Sequence, residues 1–215
     1  MPRSEVAAPE RRGTAAPGVH RRRRVVAVLF GLAGLGAVLF LLSRAGTFLI
    51  LHAPEGADAI VVLNGAWPQA VKLQKEGYAP EVLLDADVNH TIFGRSEADL
   101  ASEFLASTKP AGMQLCRING DSTFEEPADV QRCLEPLHVR SVLLVASDFD
   151  TRRTLETFRA RLPQYRWSIA ASSAPYHDAD QYWKHRAWAK TVFYAWEQYL
   201  YWKLVDQRRT DLVLH

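Results

Sequence analysis

The chain has 215 residues, of which 48% are hydrophobic and 23% charged, and this composition is typical of a folded protein and excludes a mainly disordered one. The net charge of +2 is unevenly distributed: residues 1–24 carry seven Arg and two Glu, whereas residues 25–215 carry 19 basic and 22 acidic residues. Because the bulk of the chain is slightly acidic, nucleic acid is disfavoured as its partner.

The N-terminal part predicts a basic tail followed by a membrane anchor. Residues 1–24 are rich in Pro, Ala, Gly and Arg and are predicted to be disordered. Residues 25–42 form an 18-residue run without a polar side chain, which as a helix would be about 27 Å long and could cross a bilayer. We therefore expect the chain to contact the membrane through residues 25–42.

Arginine counting predicts the orientation of this span. Seven Arg precede it and Arg44 alone follows closely, so the tail is expected in the cytoplasm and the rest of the chain outside it, as a single-pass protein of the inner (plasma) membrane. Two alternatives are weighed against an anchor. A buried core helix would normally show a polar stripe, and a cleaved signal peptide would need a cut near Ser43-Arg44-Ala45, where Arg is awkward.

From Asp58 onwards, short apolar runs alternate with amphipathic segments. The predicted strands are 59–63, 81–85, 113–118, 141–146 and 166–171, and the predicted helices are 69–77, 96–108, 123–137, 151–162 and about 180–205. This alternation predicts βαβ units and a mainly parallel five-stranded sheet covered on both faces. The expected fold is a doubly wound, Rossmann-like α/β domain over residues 58–206, with a linker at 43–57 and a tail at 207–215.

Polar residues gather where the predicted strands end, which is where open α/β sheets bind ligands. Each of them taken alone is better explained as a turn or cap residue, but five polar strand ends at one sheet edge favour a binding crevice. The candidate catalytic residues are Asp148, Asp150 and Ser122. The candidate ligand-binding residues are Asn64, Gly65, Asp85, Glu97, Thr123, Ser147 and Arg153.

Familiar cofactor and metal motifs are absent from the sequence. It has no GxGxxG, Walker A, GxSxG or HExxH pattern, and its His residues lack metal-ligand spacing, so we predict no metal site and leave the cofactor undetermined. Cys116 and Cys133 fit no metal pattern; two free buried thiols are the favoured interpretation, and a disulfide is the alternative. The oligomeric state is left open.

The last predicted helix holds four of the six Trp and is aromatic nearly all round. The favoured interpretation is a core helix packed on the sheet. The alternative is a helix with one face at the membrane interface, where Trp and Tyr are enriched.

Four segments in this order resemble the motifs of the YdcF-like family (domain of unknown function 218): ADAIVVLNG, SEADLASEFL, DSTFEEPADV and VLLVASDFDTRRTLETF. The resemblance covers about residues 58–161. It implies a Rossmann-like domain, often behind one N-terminal span, with a role in bacterial envelope biogenesis and no defined activity. The positions that match the family motifs are Asp58, Gly65, Glu97, Ser122, Thr123, Ser147 and Arg153.

The chain departs from the family pattern at several positions. Asn64 stands in place of a Gly, Glu126 or Pro127 in place of an Asn, and Asp150 in place of a His, while an Arg of the first helix is missing. If that His is an acid or base in the family, its replacement implies an altered or impaired activity.

Two arginines in the first turn of a helix oppose the helix dipole. Arg153 matches a family Arg, and together with free helix N–H groups it could bind a phosphate. Arg152 lies four residues before Glu156 and is expected to pair with it.

Three functions follow from these observations. The first is an extracytoplasmic enzyme acting on a phosphate-bearing or otherwise anionic envelope precursor, with Arg153 holding the anion and Ser122, Asp148 and Asp150 as candidate acid–base or positioning groups. The second is a binding module with the same pocket and no turnover, which the missing family His favours. The third is a membrane-tethered scaffold that uses the aromatic helix.

Overall fold

The computed structural model describes residues 17–63, 65–120, 122–172 and 179–209, with side chains from residue 27 onwards. The predicted tail up to residue 16 and the candidate ligand-binding residue Asn64 lie outside these ranges. The chain divides after Leu42 into two compact units.

The first unit is formed by the greater part of helix α1, which runs from Pro17 to Leu49. Within helix α1, the segment Ala27–Leu49 has a mean hydropathy of 2.0 and is long and apolar enough to cross a membrane. A signal sequence meets the same criterion. The helix begins eight residues before the predicted start at Val25, within the segment that was predicted to be disordered. Pro is well suited to a first helical position, and Arg is a good helix former.

The second unit contains the predicted α/β fold. Its five-stranded sheet is entirely parallel and has the order β5-β2-β1-β6-β7, so the chain reverses direction across the sheet at β1, and the predicted fold class is confirmed. The strands are β1 Ala59–Val62, β2 Glu81–Asp87, β5 Met113–Ile118, β6 Ser141–Ala146 and β7 Arg166–Ala171. The helices between and after them are α2 Trp67–Lys75, α3 Glu97–Thr108, α4 Glu126–Leu134, α5 Thr151–Arg161 and α6 Arg186–Tyr201.

The two faces of the sheet carry separate hydrophobic clusters. Alternate residues of each strand pack on α4 and α5 on one side and on α2 on the other, so that Val61 and Leu144 belong to one cluster and Ile60 and Val145 to the other. Every residue of β1 and β6 is buried. Burial on both faces explains why these strands read as unbroken apolar runs.

A short hairpin after β2 was not predicted. Strands β3 (Thr91–Ile92) and β4 (Arg95–Ser96) are antiparallel and are joined by Phe93 and Gly94, both with positive φ. This conformation is the one that two-residue hairpin turns use. Strands of two residues are too short to show periodicity in a sequence.

The segment 43–57, predicted as a linker, packs in part on the α/β domain. Its first residues complete α1, and Leu49 is fully buried in a cluster with Phe149 and Val192. The Thr151 hydroxyl accepts a hydrogen bond from the Leu51 N–H at 2.7 Å. The sequence does not reveal this packing, because the segment contacts residues that lie about 100 positions further along the chain.

This segment and one side chain also occupy the free edge of β7. The Ala53 N–H donates to the Ile169 carbonyl at 2.8 Å, and the Ala171 N–H donates to the His52 Nδ1 at 3.1 Å. Further along the same edge, the Arg159 guanidinium donates to the Trp167 carbonyl at 3.0 Å. Successive outward-facing backbone groups of β7 are therefore hydrogen-bonded.

Cys116 and Cys133 form a disulfide, with their Cα atoms 5.8 Å apart, so the favoured prediction of two free thiols was wrong. The bond joins β5 to α4. The two residues are separated by a loop and about two helical turns, and only the packing of α4 on the sheet brings their side chains together.

The C-terminal helix is shorter than predicted. A 3₁₀ segment at Ala179–Lys184 precedes α6, the extended backbone of His185 separates the two, and a π-helical turn, Trp202–Asp206, follows. One face of α6 packs on the segment that ends α1, and its other side is largely exposed. The simple prediction of a core helix is therefore correct for one face only.

Candidate functional site

A crevice of about 760 Å³ lies at the carboxyl ends of β2, β5 and β6, with α6 and the turn after it on one side. It is the place in an open α/β sheet where ligands bind. Its principal polar lining residues are Asp85, Asp87, His90, Glu97, Ser122, Thr123, Glu126, Asp150, Arg153, Glu197, Gln198 and Asp206.

Local structure explains how Glu97 reaches the crevice. The Ser96 hydroxyl accepts a hydrogen bond from the Asp99 N–H at 3.1 Å and caps α3, as its position before an amphipathic run predicts. Glu97 is the first residue of the helix, and its carboxylate lies 3.3 Å from His90 Nδ1. The imidazole and the carboxylate thus form one polar pair at the crevice wall.

The loop after β5 is held by Asp129. Its buried carboxylate accepts hydrogen bonds from the N–H groups of Asn119 and Gly120, at 2.6 and 2.9 Å, and pairs with Arg132. Burial alone would raise the pKa of Asp129, but these donors outweigh it and hold the pKa below its usual value. A Cβ at position 120 would lie 2.7 Å from the Glu125 Cβ, so the tight approach of this loop to α4 requires glycine.

Glu126 is the first residue of α4 and is 7% exposed. Its carboxyl group interacts with that of Asp85, and because an ionised carboxylate can only accept, a hydrogen bond between the two requires that one of them carries a proton. Burial raises the pKa of Glu126 to about 7, against the opposing effects of Asp85 and of the Arg153 charge. The crevice thus contains a buried carboxyl group that exists in both protonation states near neutral pH.

Arg153 reaches the crevice from the first turn of α5. Its guanidinium pairs with Asp150 at 3.1 Å, and its side chain is 15% exposed. Its Nε is buried and makes no hydrogen bond within the described residues. The Asp150 carboxylate offsets the unfavourable position of this cation at a helix N-terminus.

Arg152 does not pair with Glu156, so that prediction was wrong. The Arg152 Nε donates to the Phe48 carbonyl at 2.5 Å, and its guanidinium carbon lies 4.3 Å from the centre of the Phe48 ring. Glu156 instead pairs with Lys203 at 2.8 Å. Arg152 therefore fastens the end of α1 to α5.

The crevice brings together six of the sequence-predicted candidates: Asp85, Glu97, Ser122, Thr123, Asp150 and Arg153. Gly65, Ser147 and Asp148 are not among the described residues that line it. Asp148 is buried, and its carboxylate lies 3.4 Å from the Ser172 hydroxyl. Asp150 is the N-cap residue before α5, but its side chain makes no hydrogen bond to the N–H groups of the helix. The carboxylate pairs with Arg153 instead.

Several lining residues were not predicted as site residues. Glu126 was noted only as a departure from a family Asn, although an acidic residue at the start of a buried helix is itself a signal. Glu197, Tyr201, Trp202 and Asp206 come from the C-terminal region, where the aromatic pattern hides any polar face.

The charge of the crevice is strongly acidic. Among the residues that the structure describes, seven carboxyl side chains line it, against one arginine and one histidine. A group of three or more His, Cys, Asp or Glu side chains placed to hold a metal ion does not occur within the described ranges. The arrangement is suited to accepting hydrogen bonds from a ligand and to transferring a proton.

Comparison of the chain with protein-family models, with curated proteins and with solved structures finds no match.

Proposed function

We propose that the protein is a single-pass membrane protein of the bacterial cell envelope whose α/β domain lies outside the cytoplasm and processes an envelope precursor by acid–base chemistry in the crevice. The Arg-rich segment before the apolar helix supports this orientation. The disulfide supports it independently, since such bonds persist in oxidising compartments and are rare in the cytosol. The role in the envelope rests on the resemblance to the YdcF-like family.

The observation that carries the chemistry is the buried Glu126 carboxyl in contact with Asp85. A group with a pKa of about 7 at a ligand site can act as both acid and base at neutral pH. In its protonated form Glu126 donates a proton to a leaving oxygen of the ligand. In its ionised form it takes a proton from an attacking water or hydroxyl. Burial raises the proton affinity of this carboxyl, and the interaction with Asp85 and the charge of Arg153 lower it.

The charges of the lining residues also indicate which part of a precursor enters the crevice. Carboxylates accept hydrogen bonds from hydroxyl groups and repel phosphates, and Arg153 is already paired with Asp150. We propose that a hydroxyl-rich, uncharged part of the precursor, such as a sugar, occupies the floor of the crevice. A phosphate bound at Arg153, as the sequence alone suggested, is the competing arrangement.

Turnover of lipid-linked sugar phosphates by the full chain in detergent tests this function. Glu126→Gln keeps the shape of the side chain and removes the titrating proton, so we expect at least a hundred-fold loss of rate, on the order of the effect of a general acid or base, with binding retained. Glu97→Gln removes a carboxylate from the same crevice and is the matched control. Equal rates for Glu126→Gln and the unmodified protein would remove Glu126 from the chemistry.

Parallel binding measurements with the free sugar and with its phosphate distinguish the two arrangements. Tighter binding of the uncharged sugar supports the proposal that a sugar occupies the floor of the crevice. Tighter binding of the phosphate, lost in Arg153→Lys, supports the anion site.

A non-catalytic binding module is the second candidate. Asp150 stands where the resemblance places a His, and His90, the histidine that lines the crevice, is paired with Glu97. If the unmodified protein and Glu126→Gln bind the same sugar phosphate equally and neither converts it, the module is the correct description.

A further inference from the structure

The outer face of α6 and the turn after it are unusually apolar for a surface. Five large side chains, Phe193, Tyr194, Leu200, Tyr201 and Leu204, are each about half exposed or more, and Phe193 reaches 70%. Phe193 and Leu200 are seven residues apart and lie on one side of the helix.

The opposite side of the same helix packs against the rest of the domain. Val192, Ala195 and Tyr199 are buried in a cluster with Leu49 and Phe149. The outer residues therefore add nothing to this cluster, and an exposed apolar face of this kind marks an interaction surface.

Basic residues outnumber acidic ones in this segment, and the acidic Glu197 lies on the same side of the helix as Phe193 and Leu200. Residues 186–209 carry five Lys or Arg and two acidic side chains. The Lys190 ammonium lies 5.5 Å from the centre of the Tyr194 ring, whereas Lys203 is paired with Glu156. Aromatic and aliphatic side chains flanked by Lys and Arg are typical of helices that lie in the interface of anionic membranes.

The position of α6 within its unit agrees with such a contact. The Trp196 Nε1 donates to the Ala45 carbonyl at 3.1 Å, and the Trp196 ring stacks on Phe48 with centroids 5.2 Å apart. Both contacts lie inside the second unit. They hold α6 against residues that follow closely on the apolar run 25–42.

We propose that the outer face of α6 lies on the surface of an anionic lipid bilayer, with Phe193, Leu200 and Leu204 in the headgroup region. Lys190, Arg186 and the arginines after the π turn attract the lipid phosphates. This inference rests on the proposed membrane anchorage and extends it, because it gives the domain a second contact with lipid.

The contact determines where a substrate enters. Tyr201 belongs to the outer face and also lines the crevice, and its neighbours Gln198 and Trp202 line it too. The crevice therefore opens beside the lipid surface, and a precursor carried on a lipid can reach Glu126 without leaving the bilayer. The substrate class that fits is a lipid-linked sugar.

The test uses the full chain in vesicles of phosphatidylcholine with and without phosphatidylglycerol. Leu200→Cys, and separately Phe193→Cys, is labelled with an environment-sensitive fluorophore; both native cysteines are in the disulfide, so the new thiol alone reacts. Glu76→Cys, at the exposed end of α2, is the matched control. We expect spin-labelled lipids to quench the labels at 200 and 193 several-fold more than the label at 76, and more strongly with phosphatidylglycerol present.

Equal quenching at all three positions would overturn the proposal. A label at 200 that is shielded from water, is not quenched by lipid and changes with the protein-to-lipid ratio would also overturn it, since it would show a second copy of the chain on this face. Release of the chain from the vesicles by alkaline carbonate would instead show that the proposed anchorage itself fails.

Discussion

Glu126 shows how one buried carboxyl can oppose folding and serve function. Its pKa is about 7 in the folded protein against an ordinary value of 4.5, so between these values the folded state binds more protons than the unfolded state. The free energy of unfolding therefore falls as the pH rises through this window, by about 3 kcal/mol at most. A stabilising role for the ionised carboxylate would produce the opposite slope.

Replacing Glu126 by Gln removes this penalty, because the amide stays neutral and can still donate to Asp85. We predict that Glu126→Gln is as stable as the unmodified protein at pH 5 and more stable at pH 8, with the smaller pH dependence. Urea unfolding at both pH values measures the difference. A variant less stable than the parent at pH 8 would contradict the assignment of the raised pKa.

The charge of Arg153 lowers the pKa of Glu126 across the crevice. Arg153→Gln removes that charge and leaves Asp150 without its partner, so we predict that the upper end of the pH window in which stability falls moves upward and that the total loss becomes larger. Arg153→Lys keeps the charge and should leave that pH nearly unchanged, while losing the planar geometry that a ligand would use. Parallel measurements of the free energy of unfolding against pH for the two variants separate the effect of the charge at position 153 from the effect of the shape of its side chain. Identical titrations would show that Arg153 acts on Glu126 only through packing.

At the level of elements, the disulfide fastens α4, which carries Glu126, to β5. Replacing both cysteines by alanine increases the number of conformations open to a loop of 17 residues in the unfolded chain. We therefore predict that the free energy of unfolding falls by about 3 kcal/mol. Denaturant unfolding measures it, and chemical reduction of the unmodified protein should give a similar loss. Stability that is unchanged in the double variant would show that packing alone holds α4 on the sheet.

The elements also show which features a sequence can reveal. The five strands were predicted correctly because burial on both faces gives apolar runs such as the one at Ser141–Ala146. The Cys116–Cys133 bond and the burial of Leu49 depend on contacts between distant residues, and spacing along the chain carries no record of them. The Asp85–Glu126 pair was only half predicted: Asp85 follows a strand, whereas Glu126 opens a helix and meets it only in the folded chain.

At the level of the whole molecule, the proposed orientation is directly testable. We predict that a reporter fused after the last residue is active outside the cytoplasm and inactive inside. The native disulfide should also be present in cells, as shown by resistance of Cys116 and Cys133 to alkylation until a reductant is added. A reporter active only in the cytoplasm, with both thiols freely alkylated, would reverse the orientation.

The hydrogen bonds along the edge of β7 decide where the domain can be cut from helix α1. A sheet edge with open N–H and C=O groups can pair with the edge of another molecule and aggregate. Residues 52 and 53 cover this edge, although they precede the first strand. We predict that a fragment starting at Ser43 stays monodisperse, whereas one starting at Asp58 self-associates, as sedimentation velocity would show. The residues that connect the domain to helix α1 therefore also protect it from its own copies.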